Sequence, residues 1–238
     1  MHEIVLKPEI LGYFKSLPIT NTLLVGWITI IVLALFSFVA TRKVSLIPSG
    51  LQNLFELVID FGYGTVEELS GEKRAKVFFP IVMTFFLFIL VSNWMGLLPG
   101  FSTITFEHQP LLRSMNSDLN MTLALALISA FLTHTFAIHY LGILDYLKKW
   151  FSLNPIFLFV GFMEIVGEFT KIVSLSFRLF GNIFAGEVAL LTIASIFAFV
   201  IPLPFYFLEI IVGFVQAAVF MMLTLVFMVL LSRKHEAH

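Results

Sequence analysis

The sequence predicts an all-α integral membrane protein with about five crossings and one interfacial amphipathic helix. Of its 238 residues, 59% are hydrophobic and only 12% are charged, about half the charged fraction of a typical soluble domain. The mean hydropathy of +1.01 supports the same class. Long apolar runs separated by short polar segments indicate helices that cross a bilayer, where each helix satisfies its own backbone hydrogen bonds.

The first half of the chain contains three predicted spans. Residues 1–21 are expected to be a short tail without the features of a signal peptide. Residues 22–40, 77–98 and 119–141 are each close to the ~20 residues that a bilayer core requires. Residues 101–117 form a polar loop between the last two of these spans, and the loop contains the basic side chain of Arg113.

Residues 48–71 differ from the spans because apolar side chains recur there at helical spacing between acidic ones. This pattern predicts an amphipathic helix that lies in the membrane interface. An acidic face does not favour anionic lipid. An ordinary surface helix is the preferred interpretation, and contact with a neighbouring protein is the alternative.

The second half is dominated by residues 156–201, an apolar run of 46 residues without a convincing loop. One helix of this length would measure ~69 Å at about 1.5 Å per residue, more than twice the hydrocarbon thickness. The run could form two spans or one steeply inclined helix. Residues 205–231 form the last span, after a turn at residues 202–204.

Basic residues near the span ends favour one crossing by residues 156–201. If Arg42 and Lys43 are cytoplasmic, one crossing keeps the basic pairs at 148–149 and 233–234 on the same side. The positive-inside rule favours that arrangement. We therefore predict a single membrane domain, residues 1–238, whose last two helices form a strongly tilted hairpin. Its N-terminus is outside and its C-terminus is cytoplasmic.

Charged residues inside the long run are expensive in lipid. An arginine at the centre of a membrane helix costs ~3 kcal/mol on insertion scales, so Arg178 is predicted to have a functional role. On a helical wheel with ~100° per residue, one stripe carries Glu164, Glu168, Lys171, Leu175, Arg178 and Asn182. Glu168 and Lys171 could equally form a simple pair at i, i+3.

Glu187 and Glu209 flank the turn between the two long helices. Glu187 lies nearly opposite Arg178 on the wheel, so these two residues cannot form a simple ion pair on one straight helix. The two acids could be neutral, hydrogen-bonded core carboxyls. A hydrated path that uses both of them is the preferred interpretation.

Several other functions have no supporting pattern in the sequence. The absence of cysteine excludes disulfides and thiolate metal sites. His134 and His139 lie on different helix faces, so they do not have metal-ligand spacing. The sequence has no phosphate-binding loop, nucleophile elbow or basic nucleic-acid patch. We expect no cofactor, no metal and no nucleic-acid partner.

The run Arg178-Leu179-Phe180-Gly181-Asn182, followed by Ala185-Gly186-Glu187, resembles the signature of subunit a of bacterial F-type rotary ATP synthases. Residues 117–122, residues 216–220, and Asn93 with residues 98–100 agree with the same family. The resemblance implies a proton-translocating stator, not an enzyme on its own. Such a stator provides two offset half-channels to a rotating ring of carboxyl-bearing c subunits.

The resemblance also implies roles for individual residues. Arg178 would separate the half-channels and drive deprotonation of the ring carboxyl, with Asn182 and Gln216 as polar neighbours. Counted from Pro202, however, Gln216 lies at the depth of Glu187. The remaining candidates for the proton path are Glu187 as the outer acid, Glu209 where some relatives have histidine, Asp118 near the outer mouth, and Glu164 and Glu168 on the inner side.

The implied partners are the c ring, the peripheral-stalk b subunits, the remaining ATP synthase subunits indirectly, and the lipid of a bacterial plasma membrane. Two other classes of protein agree less well with the sequence. A secondary transporter would show inverted repeats and broken helices at matched positions, and neither is visible in the sequence. In a structural membrane anchor, the polar residues of the spans would have no function. The free-energy cost of placing Arg178 in the membrane argues against this class.

Overall fold

The fold is built almost entirely of α-helices. In the computed structural model, the described residues are 8–15, 17–42, 50–98, 105–106, 109–150, 155–196 and 201–233. Five of the helices in these ranges are long and apolar enough to cross a membrane. The predicted all-α membrane fold is therefore confirmed.

The helices follow one another with short connections. They are α1 (Asn21–Thr41), α2 (Leu51–Ser70), α3 (Glu72–Gly96), α4 (Leu119–Leu141), α5 (Ile143–Trp150), α6 (Pro155–Ile196) and α7 (Pro202–Leu231). Residues 43–49, 99–100 and 197–200, which include parts of the predicted segments, lie outside the described residues.

Small non-helical elements occur where the sequence predicted only a tail and a loop. They are the antiparallel pair β1 (Ile10–Phe14) and β2 (Leu17–Thr20), the pair β3 (Thr105–Phe106) and β4 (Gln109–Pro110), and a 3-10 turn at Met115–Ser117. Thr20 then caps α1, because its hydroxyl oxygen accepts a hydrogen bond from the Leu23 amide at 3.2 Å.

The amphipathic helix α2 packs against α3, and the two helices are separated by a single residue. Gly71 has φ 77°, a backbone conformation that favours glycine. Its amide donates to the Glu67 carbonyl at 2.8 Å, which ends α2. Val66 is fully buried, and a Cβ at Gly62 would lie 3.2 Å from the Met83 sulfur. One face of α2 is therefore a packing surface against α3.

The long helix α6 contains 42 residues, which corresponds to ~63 Å at about 1.5 Å per residue. Pro202 and Pro204 belong to the first turn of α7 and do not form a separate turn before it. Proline is tolerated there because the first helical amides have no intrahelical acceptor. The last helix therefore starts three residues earlier than the predicted segment 205–231.

The core lies where α3, α4, α6 and α7 pack together. Phe78, Ile89, Leu179, Phe220 and Leu225 are among its fully or almost fully buried side chains. Hydroxyl pairs also join the helices: Ser129 and Thr224 are 2.8 Å apart, and Thr122 and Ser176 are 3.2 Å apart. Small polar residues of this kind hold membrane helices close together.

The short helix α5 was not expected from the sequence. It packs against the start of α6 so closely that a Cβ at Gly161 would overlap the Trp150 carbonyl group. This packing brings Tyr146 of α5 to the side of α4, where its hydroxyl lies 2.9 Å from His134 Nδ1. The contact between α5 and α6 therefore assembles a cluster of polar side chains at this end of the molecule.

Candidate functional site

A cavity of about 90 Å³ lies between α3, α6, α7 and the segment before the 3-10 turn. Several of its lining side chains are polar or ionisable: Asn93, Arg113, Ser114, Glu187, Tyr206 and Glu209. We call this space the acidic cavity. The structure thus brings the two candidate acids Glu187 and Glu209 to one space from two different helices.

Arg113 is the basic side chain of the acidic cavity. Its Nε lies 3.9 Å from Glu187 Oε2, and the two side chains are only 10% and 26% exposed. The same Nε donates a hydrogen bond to Ser117 Oγ at 3.1 Å. The sequence had placed Arg113 in an outer polar loop, so its position beside Glu187 was missed. The one available signal was a basic residue shortly before the predicted third span.

Glu209 occupies another wall of the acidic cavity. Its side chain is 9% exposed and makes no hydrogen bond or ion pair with any described residue. The carboxyl group lies against the backbone of Gly186, where a Cβ would overlap it. Glycine at position 186 therefore provides the space that this carboxyl group occupies.

Two residues that line the acidic cavity have a buried side-chain oxygen that makes no hydrogen bond with a described residue. Within the described part of the chain, Glu187 Oε2 and Ser114 Oγ are buried and have no hydrogen-bond partner. A polar space of about 90 Å³ has room for several water molecules. The cavity can therefore hold water beside its polar lining, which suits a path for protons.

An amide network holds α7 beside the acidic cavity. Asn93 Nδ2 donates to the Gly213 carbonyl at 3.0 Å, and Asn116 Nδ2 donates to Asn93 Oδ1 at 2.7 Å. The Trp94 indole donates to the Ile210 carbonyl at 3.1 Å. Since Gly213 lies one turn after Glu209, these bonds set the position of the Glu209 carboxyl relative to α3.

Arg178 lies on a different surface. Its side chain is exposed, and its guanidinium contacts Ser174 Oγ of the same helix at 3.4 Å. Across the described ranges, no carboxylate forms an ion pair with it. Asn182 is exposed one turn further along α6. We call Ser174, Arg178 and Asn182 the Arg178 surface.

The predicted polar stripe is not one continuous surface. Leu175 belongs to it by angle, but its side chain is buried. The reason is that α4 packs against this side of α6, where Thr122 contacts Ser176. The Arg178 surface is consequently separated from the polar side chains at the start of α6.

Gln216 lies at the level of Arg178, which differs from the count made from Pro202. Gly186 and Glu209 are in contact across the antiparallel pair α6 and α7. Seven residues further along α7 is Gln216, and seven residues back along α6 is Leu179. A second contact, Lys171 Nζ at 4.7 Å from the Phe227 ring centroid, agrees with this register. The count from Pro202 failed because α7 does not start directly opposite the end of α6.

Glu168 belongs to a cluster at the other end of α6. Lys171 Nζ donates to Glu168 Oε1 at 2.6 Å, so the simple i, i+3 pair does form. His134 Nε2 lies 3.9 Å from Glu168 Oε2. Burial of the Tyr146 side chain raises its pKa, and the negative charge of the Glu168 carboxylate raises it further. Glu164 is half-buried one turn before Glu168, and neither acid lines the acidic cavity.

Asp118 caps α4 and connects it to α1. Its Oδ1 accepts from the Asn120 amide at 2.9 Å and from Asn120 Nδ2 at 3.1 Å. Its Oδ2 accepts from Thr22 Oγ1 at 2.9 Å. These contacts support a structural task for Asp118, and it does not line the acidic cavity.

Fold and site together define a multi-pass helical membrane protein with ionisable groups inside its spanning segments. Such groups are rare in lipid and mark ion pathways. The family model of the ATP synthase A chain matches residues 23–229, and the chain belongs to this family. The resemblance found in the sequence is therefore confirmed.

Curated relatives carry the corresponding name over most of the chain. The ATP synthase subunit a of Moorella thermoacetica is 35% identical over 221 residues, covering 93% of this chain and 94% of the relative. That of Geobacter sulfurreducens is 36% identical over 217 residues, covering 89% and 86%. The chain is thus a membrane-sector subunit that takes part in ion transport and does not act as an enzyme alone.

Proposed function

We propose that this chain is the proton-translocating stator subunit of a rotary ATP synthase in a bacterial plasma membrane. The observation that carries the proposal is the separation of charges on α6 and α7. Arg178 is exposed on a lateral surface, whereas Glu187 and Glu209 line a cavity away from it. A partner that supplies a carboxyl to the Arg178 surface would complete the arrangement, and a ring of c subunits is such a partner.

A fixed arginine can change the protonation of a passing carboxyl. A cation ~4 Å from a carboxylate gains about 4 kcal/mol at an effective dielectric of 20. That energy corresponds to about three pKa units of the ring carboxyl. Arg178 therefore favours release of the proton when a ring carboxyl arrives. Its positive charge also opposes direct proton flow between the two half-channels.

The acidic cavity is the proposed outer half-channel. Its carboxyls can exchange protons with water. Asn182 lies between the cavity and Arg178 along α6, and Gln216 is a polar group of α7 at the level of Arg178. The predicted inner half-channel includes Glu164 and Glu168, and Asp118 stays a predicted group near the outer mouth. In this arrangement the N-terminus is outside, the C-terminus is cytoplasmic, and b subunits contact the stator from the peripheral stalk.

Replacement of Arg178 tests the proposal directly. We expect Arg178→Ala to abolish ATP-driven proton pumping in inverted membrane vesicles, with the ATP synthase complex still assembled. Arg42→Ala, at the exposed end of α1, is the matched control and should pump like the wild type. Normal pumping by the Arg178→Ala complex would refute the proposed role of this residue.

A further inference from the structure

The acidic cavity contains two carboxyl groups and one guanidinium group among the described residues. Arg113 lies beside Glu187, with 3.9 Å between Nε and Oε2. Glu209 lies across the cavity and has no ion pair with a described residue. The two acids therefore have different electrostatic surroundings, although they line the same space.

Arg113 is held in place by the turn that precedes α4. Its Nε donates to Ser117 Oγ, and the Ser117 hydroxyl donates to the Ser114 carbonyl at 2.9 Å. Ser117 is fully buried. The guanidinium is thus fixed by its own segment, and it does not depend on Glu187 alone for its position. A fixed cation stabilises a fixed anion most strongly where little water screens them.

We infer that Arg113 is a positioning residue of the proton path: it neutralises Glu187 and leaves Glu209 as the carboxyl that loads and unloads the proton. With Arg113 and Glu187 both charged, their charges cancel. A hydronium ion then transfers its proton to the Glu209 carboxylate, which gives a neutral carboxylic acid and water. Release of that proton to the next acceptor regenerates the Glu209 carboxylate, so the cavity exchanges one proton at a time.

This inference rests on the proposed function, since it assigns roles within the proposed outer half-channel. Removing Arg113 makes the cavity one unit more negative, so Glu187 competes with Glu209 for the proton. Removing the charge of Glu187 alone makes the cavity one unit more positive. The carboxylate form of Glu209 is then more stable, and it binds a proton less readily. Removing both charges restores the original balance.

The test uses membrane vesicles that contain the complete complex, with passive proton conductance measured after the peripheral catalytic sector has been removed. Arg113→Gln and Glu187→Gln should each reduce conductance about tenfold. The double variant Arg113→Gln/Glu187→Gln should conduct better than either single variant. Arg113→Lys, which keeps the positive charge, should retain at least half of the wild-type conductance. Arg42→Gln is the control for loss of an exposed arginine and should match the wild type.

The amount of assembled complex is measured for every variant, so that conductance is compared per complex. If the double variant conducts no better than the poorer single variant, or if Arg113→Gln conducts normally, the inference is wrong. A purely structural role of Arg113 would not be rescued by Glu187→Gln. Should Arg113→Gln fail to assemble, Arg113→Lys and its pair with Glu187→Gln give a comparison of opposite sign. Lysine is uncompensated in the pair, so the pair should conduct less than Arg113→Lys alone, and equal conductance of the two would contradict the inference.

One further variant separates failure of this inference from failure of the proposed outer half-channel. Glu187→Gln/Glu209→Gln should slow proton entry more than either single change, with Glu209→Gln the more severe of the two. Wild-type conductance in this double variant would refute the outer half-channel itself. Impaired conductance there, together with normal Arg113 variants, would refute only the role of Arg113.

Discussion

Gly186 shows how one missing side chain makes room for a carboxyl group of the acidic cavity. The Glu209 carboxyl lies where a Cβ of residue 186 would be, so α6 and α7 approach closely at this point. Arg113 and Arg178 show a second contrast between single residues. The first lies beside an acid of its own chain, and the second has none among the described residues. The same type of side chain is therefore paired with an acid of this chain in one place and exposed without such an acid in the other.

Gly186→Ala should displace the Glu209 carboxyl without unfolding the chain, because the overlapping atoms are the far end of a flexible side chain. We expect passive proton conductance to fall severalfold while the complex assembles in normal amounts. Gly167→Ala is the matched control, since a Cβ there meets nothing within 4 Å. Equal conductance of the two variants would contradict the role given to Gly186.

The element that determines the shape of the molecule is α6. Its 42 residues exceed what an upright span requires, so it has to incline or extend beyond the hydrocarbon core. An inclined helix can follow the curved side of a ring over several turns. The continuous helix also argues against a secondary transporter, whose binding site would be formed by broken helices.

We predict that α6 crosses the membrane once, so its two ends should lie on opposite sides. Because the chain contains no cysteine, an introduced cysteine is labelled without background labelling of native cysteines in this chain. Phe159→Cys and Ile201→Cys, both at exposed positions, should react with a membrane-impermeant maleimide from opposite sides. The comparison of intact cells with inverted vesicles measures this. Labelling of both positions from the same side would overturn the single crossing.

At the scale of the whole molecule, α6 and α7 separate two environments. The acidic cavity is enclosed by α3 and by the segment before α4, whereas the Arg178 surface faces away from the protein. The register of the two helices places Gln216 at the level of Leu179, the residue that follows Arg178. Arg178 is thus exposed on one side of the two helices, whereas Glu187 and Glu209 line a cavity inside the protein.

A photocrosslinker beside the Arg178 surface should identify the proposed partner. Ala185 is exposed and lies two turns after Arg178 on the same side of α6. We expect Ala185→Cys, labelled with benzophenone maleimide in the assembled complex, to crosslink to the ring subunit, as identified by mass spectrometry. Phe131→Cys on α4, also at an exposed position, is the control. Crosslinking to the ring from Phe131 but not from Ala185 would refute the proposed orientation.

The sequence alone determined the class of the protein and the unusual length of α6. It could do so because apolar length and the cost of buried charge are local properties, set by each segment and by the lipid around it. It also identified Arg178, Glu187 and Glu209 as costly residues with a functional explanation.

Only the tertiary structure decided which of these residues meet. Arg113 and Glu187 are far apart in the chain, and their approach depends on how the turn before α4 packs against α6. The level of Gln216 depends on where α6 and α7 touch, at Gly186 and Glu209. Such contacts arise from the packing of complementary helix faces. Hydropathy and helical periodicity describe each helix by itself and do not define its register against a neighbour.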